Sequence, residues 1–263
     1  MTETIQPGSF TASLAILFER GVRFGTVIDI GCADGSFVVY HAYLGVLPDA
    51  VPVNIDANAF YESSLKAIQE VLGGYYLITA LGDHAGEAEM TIGAHPYWSS
   101  LRPVGDNYWQ QHNNLYGDKT KVPLAKLDDV AEKLNLKPPF LLKLDVQGAE
   151  IAALRGASQA LTQTDAVICE ILLDDFEGIN SALVEKGFGL FDLTEITRLA
   201  DRSLGYFYAV YTSRRMRAAM RPAFWKPEDS ARILRLQEDR RVQVIESNAQ
   251  MLAELKKQRL SES

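Results

Sequence analysis

Short apolar runs that end near an acid recur along the chain, each followed by residues at helical spacing. The runs are Val27-Ile28-Asp29-Ile30, Val51 to Asp56, Tyr75 to Ala80, Phe140 to Asp145 and Ala166 to Ile171. Near-continuous apolar runs of this length mark strands buried on both faces of a parallel sheet. Apolar residues at helical spacing predict helices over residues 10–20 (Phe10, Leu14, Leu17, Phe18), 59–72, 124–136, 151–161 and 178–186. Gly21, Gly73-Gly74, Pro138-Pro139 and Gly187 supply stop signals. Residues 88–92 predict an extra strand, so that 83–92 forms a hairpin rather than a crossover helix. Residues 190–193 and 206–211 predict two final strands with no helix between them, hence an antiparallel pair. The alternation predicts an α/β fold: a Rossmann-like, doubly wound, mostly parallel seven-stranded sheet with a C-terminal helical tail.

Two stretches break the pattern. Residues 93–121 hold Tyr97, Trp98, Tyr108, Trp109, Tyr116, His95 and His112 among small and polar residues. A connection this long inside a compact domain reads as a functional lid or binding loop. After Ser213 the composition changes to a basic run, Arg214, Arg215, Arg217 and Arg221, read as a solvated face, with Pro222 and Pro227 framing a linker. Residues 228–260 then predict a long polar helix. Leu234, Ile245, Leu252 and Leu255 share a heptad seam that Glu238, Arg241 and Asn248 interrupt. The expected organisation is a domain over 1–213, a linker over 214–227 and a helical tail over 228–263. The tail is the candidate surface for a homo-oligomer or a partner enzyme.

Composition narrows the function. The chain has 263 residues, 47% hydrophobic and 23% charged, with a net charge of −8. That balance disfavours nucleic-acid partners, which need a basic footprint. The N-terminal residues lack a basic segment followed by an apolar core, and no run approaches the ~20 apolar residues of a membrane helix. A cytoplasmic protein is expected, with Cys32 and Cys169 reduced.

The candidate chemistry lies at the ends of the strands. Asp29-Ile30-Gly31-Cys32-Ala33-Asp34-Gly35-Ser36 is a strand end, a glycine turn and a helix start, the arrangement that builds a nucleotide-like pocket. Asp56, with Ala57 beside it, falls about 20 residues further on, where a carboxylate accepts from a ribose, and Asn58 is the helix cap. Asp83 is placed either to accept from an adenine amino group or to serve as a turn residue. Asp145 and Glu170 end the later strands, and Glu150 suits a helix N-terminus. Neither a dinucleotide Gly-x-Gly-x-x-Gly nor a Gly-x-x-x-x-Gly-Lys-Ser/Thr phosphate loop is present. A turn ringed by Asp29, Asp56 and Asp145 suits a cation such as a sulfonium better than a pyrophosphate. No metal ligand set is assigned; His95 and His112 are weak candidates.

An ordered series of motifs goes further: Val27 to Gly35; Ala80-Leu81-Gly82-Asp83 with Gly86-Glu87-Ala88-Glu89; Ser99-Ser100-Leu101; Leu127-Asp128-Asp129; and Leu142 to Glu150 with Leu154-Arg155-Gly156-Ala157. Together these resemble the FkbM family of S-adenosylmethionine-dependent methyltransferases, over residues 27–211. The chain departs from the family pattern at Gln147, where an acid is usual, and at Asp34, where an asparagine is usual. The resemblance implies S-adenosyl-L-methionine as cofactor, held by Asp29, Gly31, Cys32, Asp34, Gly35, Ser36, Asp56, Ala57, Asp83 and Asp145. It implies O-methylation of a small-molecule or glycan acceptor, first of all a carbohydrate hydroxyl in surface polysaccharide or glycolipid. The general-base candidates are Asp145, then Glu170, with His84 and His112 in reserve. A natural-product hydroxyl, a nitrogen acceptor, or a non-catalytic adaptor that keeps the fold are the alternatives.

Overall fold

The computed structural model describes residues 8–93, 96–102, 118–219, 234–239, 241–243 and 247. The chain divides into two units, Met1–Met220 and Arg221–Ser263. The first begins with α1 (Phe10–Glu19), then β1 (Thr26–Ile30), α2 (Ser36–Leu44), β2 (Val51–Asp56), α3 (Glu62–Leu72) and β3 (Tyr75–Ile78). Short strands β4 (Ala80–Leu81), β5 (Gly86–Thr91) and β6 (Lys119–Ala125) follow, then α4 (Leu127–Lys133), β7 (Phe140–Leu144), α5 (Glu150–Arg155), β8 (Thr164–Leu172) and α6 (Phe176–Glu185). The unit ends with β9 (Phe188–Arg198), β10 (Leu204–Ser213) and α7 (Arg214–Ala219).

Seven strands form the central sheet in the order β3-β2-β1-β7-β8-β10-β9. β10 runs antiparallel to both neighbours, and the remaining pairs are parallel. The chain leaves β1 toward β2 and β3 on one side and returns at β7 on the other, so the topological switch lies between β1 and β7. Such a switch opens a crevice beyond the carboxyl ends of the two strands.

Side chains alternate between the two faces of each strand. Ile28, Ile30, Val53, Ile55, Leu142, Leu144, Val167, Cys169 and Ile171 pack in one cluster with Leu127 and Val130 of α4, Leu154 of α5, and Ile179 and Leu183 of α6. Val27, Leu141, Ala166, Ile168 and Val210 pack in another with Leu14 and Leu17 of α1, Phe37 and Val38 of α2, and Met216 of α7.

The structure departs from the sequence expectations in three places. Residues 83–92 do not close a hairpin on themselves, because β5 pairs antiparallel with β6, which also pairs with β4 to form a separate three-stranded sheet. The chain between Lys119 and Ala125 is therefore a strand, and the helix expected from Leu124 begins at Leu127. Pro123 sits within β6 opposite Glu87 of β5, one residue before the pairing with β4 begins at Leu124, so that β6 has a partner on one side only at this position. The helix expected over 151–161 stops at Arg155 and gives way to a 3-10 turn over Ala160–Gln163.

The start of the expected linker is a helix fastened to the domain. Met216 of α7 is buried, Arg215 reaches Asp165 at 2.7 Å, and Arg217 bonds to Thr212 at 2.6 Å and to the Gly189 carbonyl. Within the second unit the described residues are helical, and Leu234, Leu236 and Val242 are exposed. Ile245, Leu252 and Leu255 of the expected seam lie outside the described residues, as do His95, Tyr108, Trp109, His112 and Tyr116. Among the described residues, no helix is long and apolar enough to cross a membrane. Cys32 and Cys169 are free and buried.

Candidate active site

The β1-to-α2 turn builds the floor of the site. Gly31 (φ 73°) and Gly35 (φ 77°) adopt the left-handed conformation that glycine takes without steric cost. A Cβ on Gly31 would lie 1.9 Å from the Asp145 carbonyl oxygen, and one on Gly35 would lie 2.4 Å from Ile68. The turn thus brings β1 against the end of β7. The Asp145 amide donates to the Ile30 carbonyl at 3.0 Å, completing that junction.

Strand register then places a row of polar groups on the α1/α2 side of the sheet. Asp29 pairs in register with Lys143, and Glu170 with Tyr208. Lys143 Nζ lies 3.3 Å from Asp29 Oδ1 and 3.2 Å from Asp145 Oδ2, with all three groups largely or fully buried. Burial pushes the Asp29 carboxyl up to about 6 against the pull of Lys143. Burial would lower the Lys143 ammonium, but the two flanking carboxylates override it and hold its proton more tightly than usual.

Asp145 is the most heavily bonded group. Its carboxylate accepts from Lys143, from the Tyr208 hydroxyl at 2.6 Å and from the Gln147 amide at 3.0 Å. Burial opposes ionisation, yet Lys143 and these donors keep the carboxyl below the usual range. Gln147 also donates to Glu170 at 2.6 Å. Burial, followed by the neighbouring Asp145 charge, raises Glu170 well above the usual carboxylate range.

A cavity of about 280 Å³ opens above this row, lined by Gly31, Asp56, Ala57, Thr79, Leu81, Tyr97, Trp98, Ser100, Asp145, Gln147, Glu170 and Tyr208, among others. Its Asp56 wall is well ordered by hydrogen bonds. Asp56 accepts from the Ala33 amide at 2.8 Å and from the Asn58 amide at 2.7 Å, while Asn58 caps the following turn through Phe60 N at 3.0 Å. Burial raises the Asp56 carboxyl in spite of the two amide donors. A second cavity of about 600 Å³ shares Gly31, Ala33, Tyr97, Asp145 and Tyr208 with the first and extends past Cys32, Asp34, Ser36, Tyr40 and Lys143.

The described end of the long aromatic segment closes one side. Tyr97 stacks on Tyr61 with centroids 5.9 Å apart, and its hydroxyl donates to Asp34 at 2.8 Å. Burial would raise the Asp34 carboxyl, but the Tyr97 bond and the Ser36 amide bring it below the usual range. Ser100 donates to the Gln147 carbonyl at 2.7 Å, and Arg102 makes a bidentate pair with Asp175 at 2.8 and 2.7 Å. Gln147 has a φ of 54°, so this contact supports a backbone conformation uncommon outside glycine.

The cavities bring together Gly31, Cys32, Asp34, Ser36, Asp56, Ala57, Asp145 and Glu170 of the expected set. Asp29 lies beneath the turn, paired to Lys143, and Gly35 is at the start of α2. Asp83 and His84 line neither cavity; they are exposed and bond to each other at 2.7 Å. Glu150 turns back to accept from the Val146 and Gly148 amides at 3.1 and 3.2 Å, and burial raises its carboxyl to about 7. Among the described residues no His, Cys, Asp and Glu cluster has a metal-holding arrangement.

Sequence reading gave no role to Lys143 or Tyr208. The signal was available for Lys143: a lysine inside an apolar strand, two residues before Asp145, needs a buried acid as partner. For Tyr208 no such local signal exists, because its partner lies 63 residues away in sequence.

No curated protein sequence matches the chain. Among solved structures it is similar to a methyltransferase FkbM from Methylobacillus flagellatus KT, at 14% identity and a TM-score of 0.43, with 70% of this chain aligned to 43% of that one. This chain therefore spans less than half the length of that relative. It is also similar to fibrillarin of Aeropyrum pernix, solved with S-adenosyl-L-methionine bound, at 12% identity, TM-score 0.40, covering 75% and 73% of the two chains. An rRNA methylase from Streptococcus thermophilus aligns at 9% identity and TM-score 0.43, covering 80% and 98%. The Methyltransferase FkbM domain model matches residues 29–208, and the chain belongs to this methyltransferase family.

Proposed function

We propose that the chain is an S-adenosylmethionine-dependent O-methyltransferase acting on a hydroxyl of a carbohydrate. The observation that carries this reading is one cavity at the β1/β7 switch that is lined by Asp56 as well as by Asp145 and Glu170. Asp56, Ala57, Gly31 and the turn over Cys32, Asp34 and Ser36 are the residues that would hold the cofactor, and the absence of any phosphate loop in the sequence fits a phosphate-free nucleoside. When bound, S-adenosylmethionine supplies an electrophilic methyl carbon whose bonding pair departs with sulfur.

The chain's own part is to hold the acceptor oxygen in line and to accept its proton. Positioning of this kind can supply about 7–11 kcal/mol of the barrier, and a placed base adds roughly 10²–10⁴-fold. Asp145, whose carboxylate Lys143 and its hydrogen-bond donors keep ionised, serves as that base. Tyr97 and Trp98, beside Ser100, Gln147 and Glu170, support a sugar acceptor, because aromatic faces pack on its C–H surface while polar groups meet its hydroxyls.

Calorimetry with S-adenosylhomocysteine and transfer of labelled methyl to a panel of neutral glycosides test this. Binding, together with transfer that is lost in Asp145→Asn, is the expected result. Absence of binding removes the cofactor assignment. Transfer confined to amines removes the hydroxyl assignment.

A further inference from the structure

The geometry points to Asp145 and Glu170 acting as one carboxyl pair that shares a proton and receives the acceptor's proton, with Gln147 as the residue that positions both. This rests on the methyl-transfer reading above and goes beyond it by assigning two residues to one proton site. The two hydrogens of a single amide group serve the two acids: Gln147 Nε2 is 3.0 Å from Asp145 Oδ1 and 2.6 Å from Glu170 Oε2. The Asp145 charge, held next to Glu170 by that shared amide, raises the Glu170 carboxyl further above the usual carboxylate range. Two buried carboxyls bridged by one amide nitrogen ionise together only at a high electrostatic cost, so the pair keeps one proton.

The surroundings decide which member keeps it. Lys143 and the Tyr208 hydroxyl both reach Asp145 Oδ2, whereas among the described residues no cation pairs with Glu170. Asp145 carries the charge and Glu170 carries the proton. Other ionisable groups that act on the site are Asp29, paired to Lys143, Glu150, Asp56, the buried Cys169 next to Glu170 and Tyr206 next to Tyr208. In turnover the acceptor O–H bond breaks, its electron pair remains on oxygen for the new bond to carbon, and the proton passes to Asp145. The pair then holds two protons and returns one to water.

Infrared spectroscopy of the full chain at pH 8.5 reads the shared proton without any acceptor. At that pH Glu150 (about 7) and Asp29 (about 6) are ionised. A protonated-carboxyl C=O band is expected, and Glu170→Gln, checked for folding by circular dichroism, is expected to remove it. Gln147→Leu removes a donor that favours the charged forms, so the band is expected to persist to higher pH by about one unit, a tenfold change in proton affinity. A folded Glu170→Gln chain that loses no band overturns the pair. An unmoved titration in Gln147→Leu overturns the positioning role. Wild-type calorimetry with S-adenosylhomocysteine separates the two levels: a lost band without cofactor binding leaves the pair standing and removes the function, whereas binding without a lost band does the reverse.

Discussion

The two faces of the central sheet are built from the same strands and differ in one respect. The face toward α4, α5 and α6 is apolar from β2 to β8, with Ile28, Ile30, Val53, Ile55, Leu142, Leu144 and Val167 all buried. The face toward α1 and α2 is apolar at its lower end and polar at its upper end, where Asn54, Asp29, Lys143, Glu170 and Tyr208 succeed one another across the strands. The first face supplies cohesion by removing apolar area from water. The second faces the mouth of the cavities and bears buried charges that survive by pairing. Stability and chemistry are thus separated by the parity of residue number along each strand, a separation that costs no additional structure.

The largest expected effect tests the polar face directly. Lys143→Met leaves Asp29 buried without its cation, and breaking such a pair costs about 3–5 kcal/mol of stability. Urea unfolding at pH 8 is the measurement. Leu142→Ala, one residue away on the other face, costs a comparable 2–5 kcal/mol through its cavity. The pH dependence separates them. Asp29 is already raised to about 6 and rises further without Lys143, so the Lys143→Met penalty shrinks as pH falls and Asp29 takes up a proton. The Leu142→Ala penalty stays flat. Equal pH dependence of the two variants would break the distinction between the faces.

Next is Glu150, whose carboxyl is raised from 4.5 to about 7 by burial. A raised carboxyl gives stability that is fully present below the unfolded pKa and is lost as pH rises through the folded one. Glu150→Gln keeps an oxygen that accepts from Val146 N and Gly148 N but does not ionise. Relative to wild type it should gain roughly 3 kcal/mol between pH 4 and pH 8, from the difference in pKa at 1.36 kcal/mol per unit. Chemical denaturation at both pH values reads this gain.

Asp56 sharpens the comparison from the cavity side. On the cofactor placement proposed above, Asp56→Asn weakens a charge-assisted hydrogen bond to the cofactor ribose and should reduce S-adenosylhomocysteine affinity about tenfold to a hundredfold. Unfolding should change less, because the side-chain oxygen still accepts from one of the two amides. The smallest effect belongs to the rim. Tyr97→Phe removes the bond to Asp34 in an exposed setting, worth at most about 1 kcal/mol. Cofactor affinity should fall less than in Asp56→Asn, and a larger fall would move the energetic centre of the site from the sheet to the aromatic segment.

The sequence by itself determined the seven strands of the central sheet, their order of appearance and the turn at Gly31 to Gly35, but not the strand β6. These rest on local signals: an apolar run of strand length, a stop residue, a glycine where φ is positive. It also determined that Asp29, Asp56, Asp145 and Glu170 stand at or near the carboxyl ends of their strands, because a carboxylate interrupting an apolar run has few other places to go. It did not determine the pairing of β5 with β6 across residues 92–118, since nothing in either strand names its partner. The tertiary structure alone decided that Asp83 and His84 face solvent, that Arg215 and Arg217 fasten α7 to the domain, and that Tyr208 and Gln147 complete the carboxyl site. The physical reason is common to all of these. Periodicity fixes which face a side chain takes within its own element, whereas register between elements distant in sequence fixes which side chains meet.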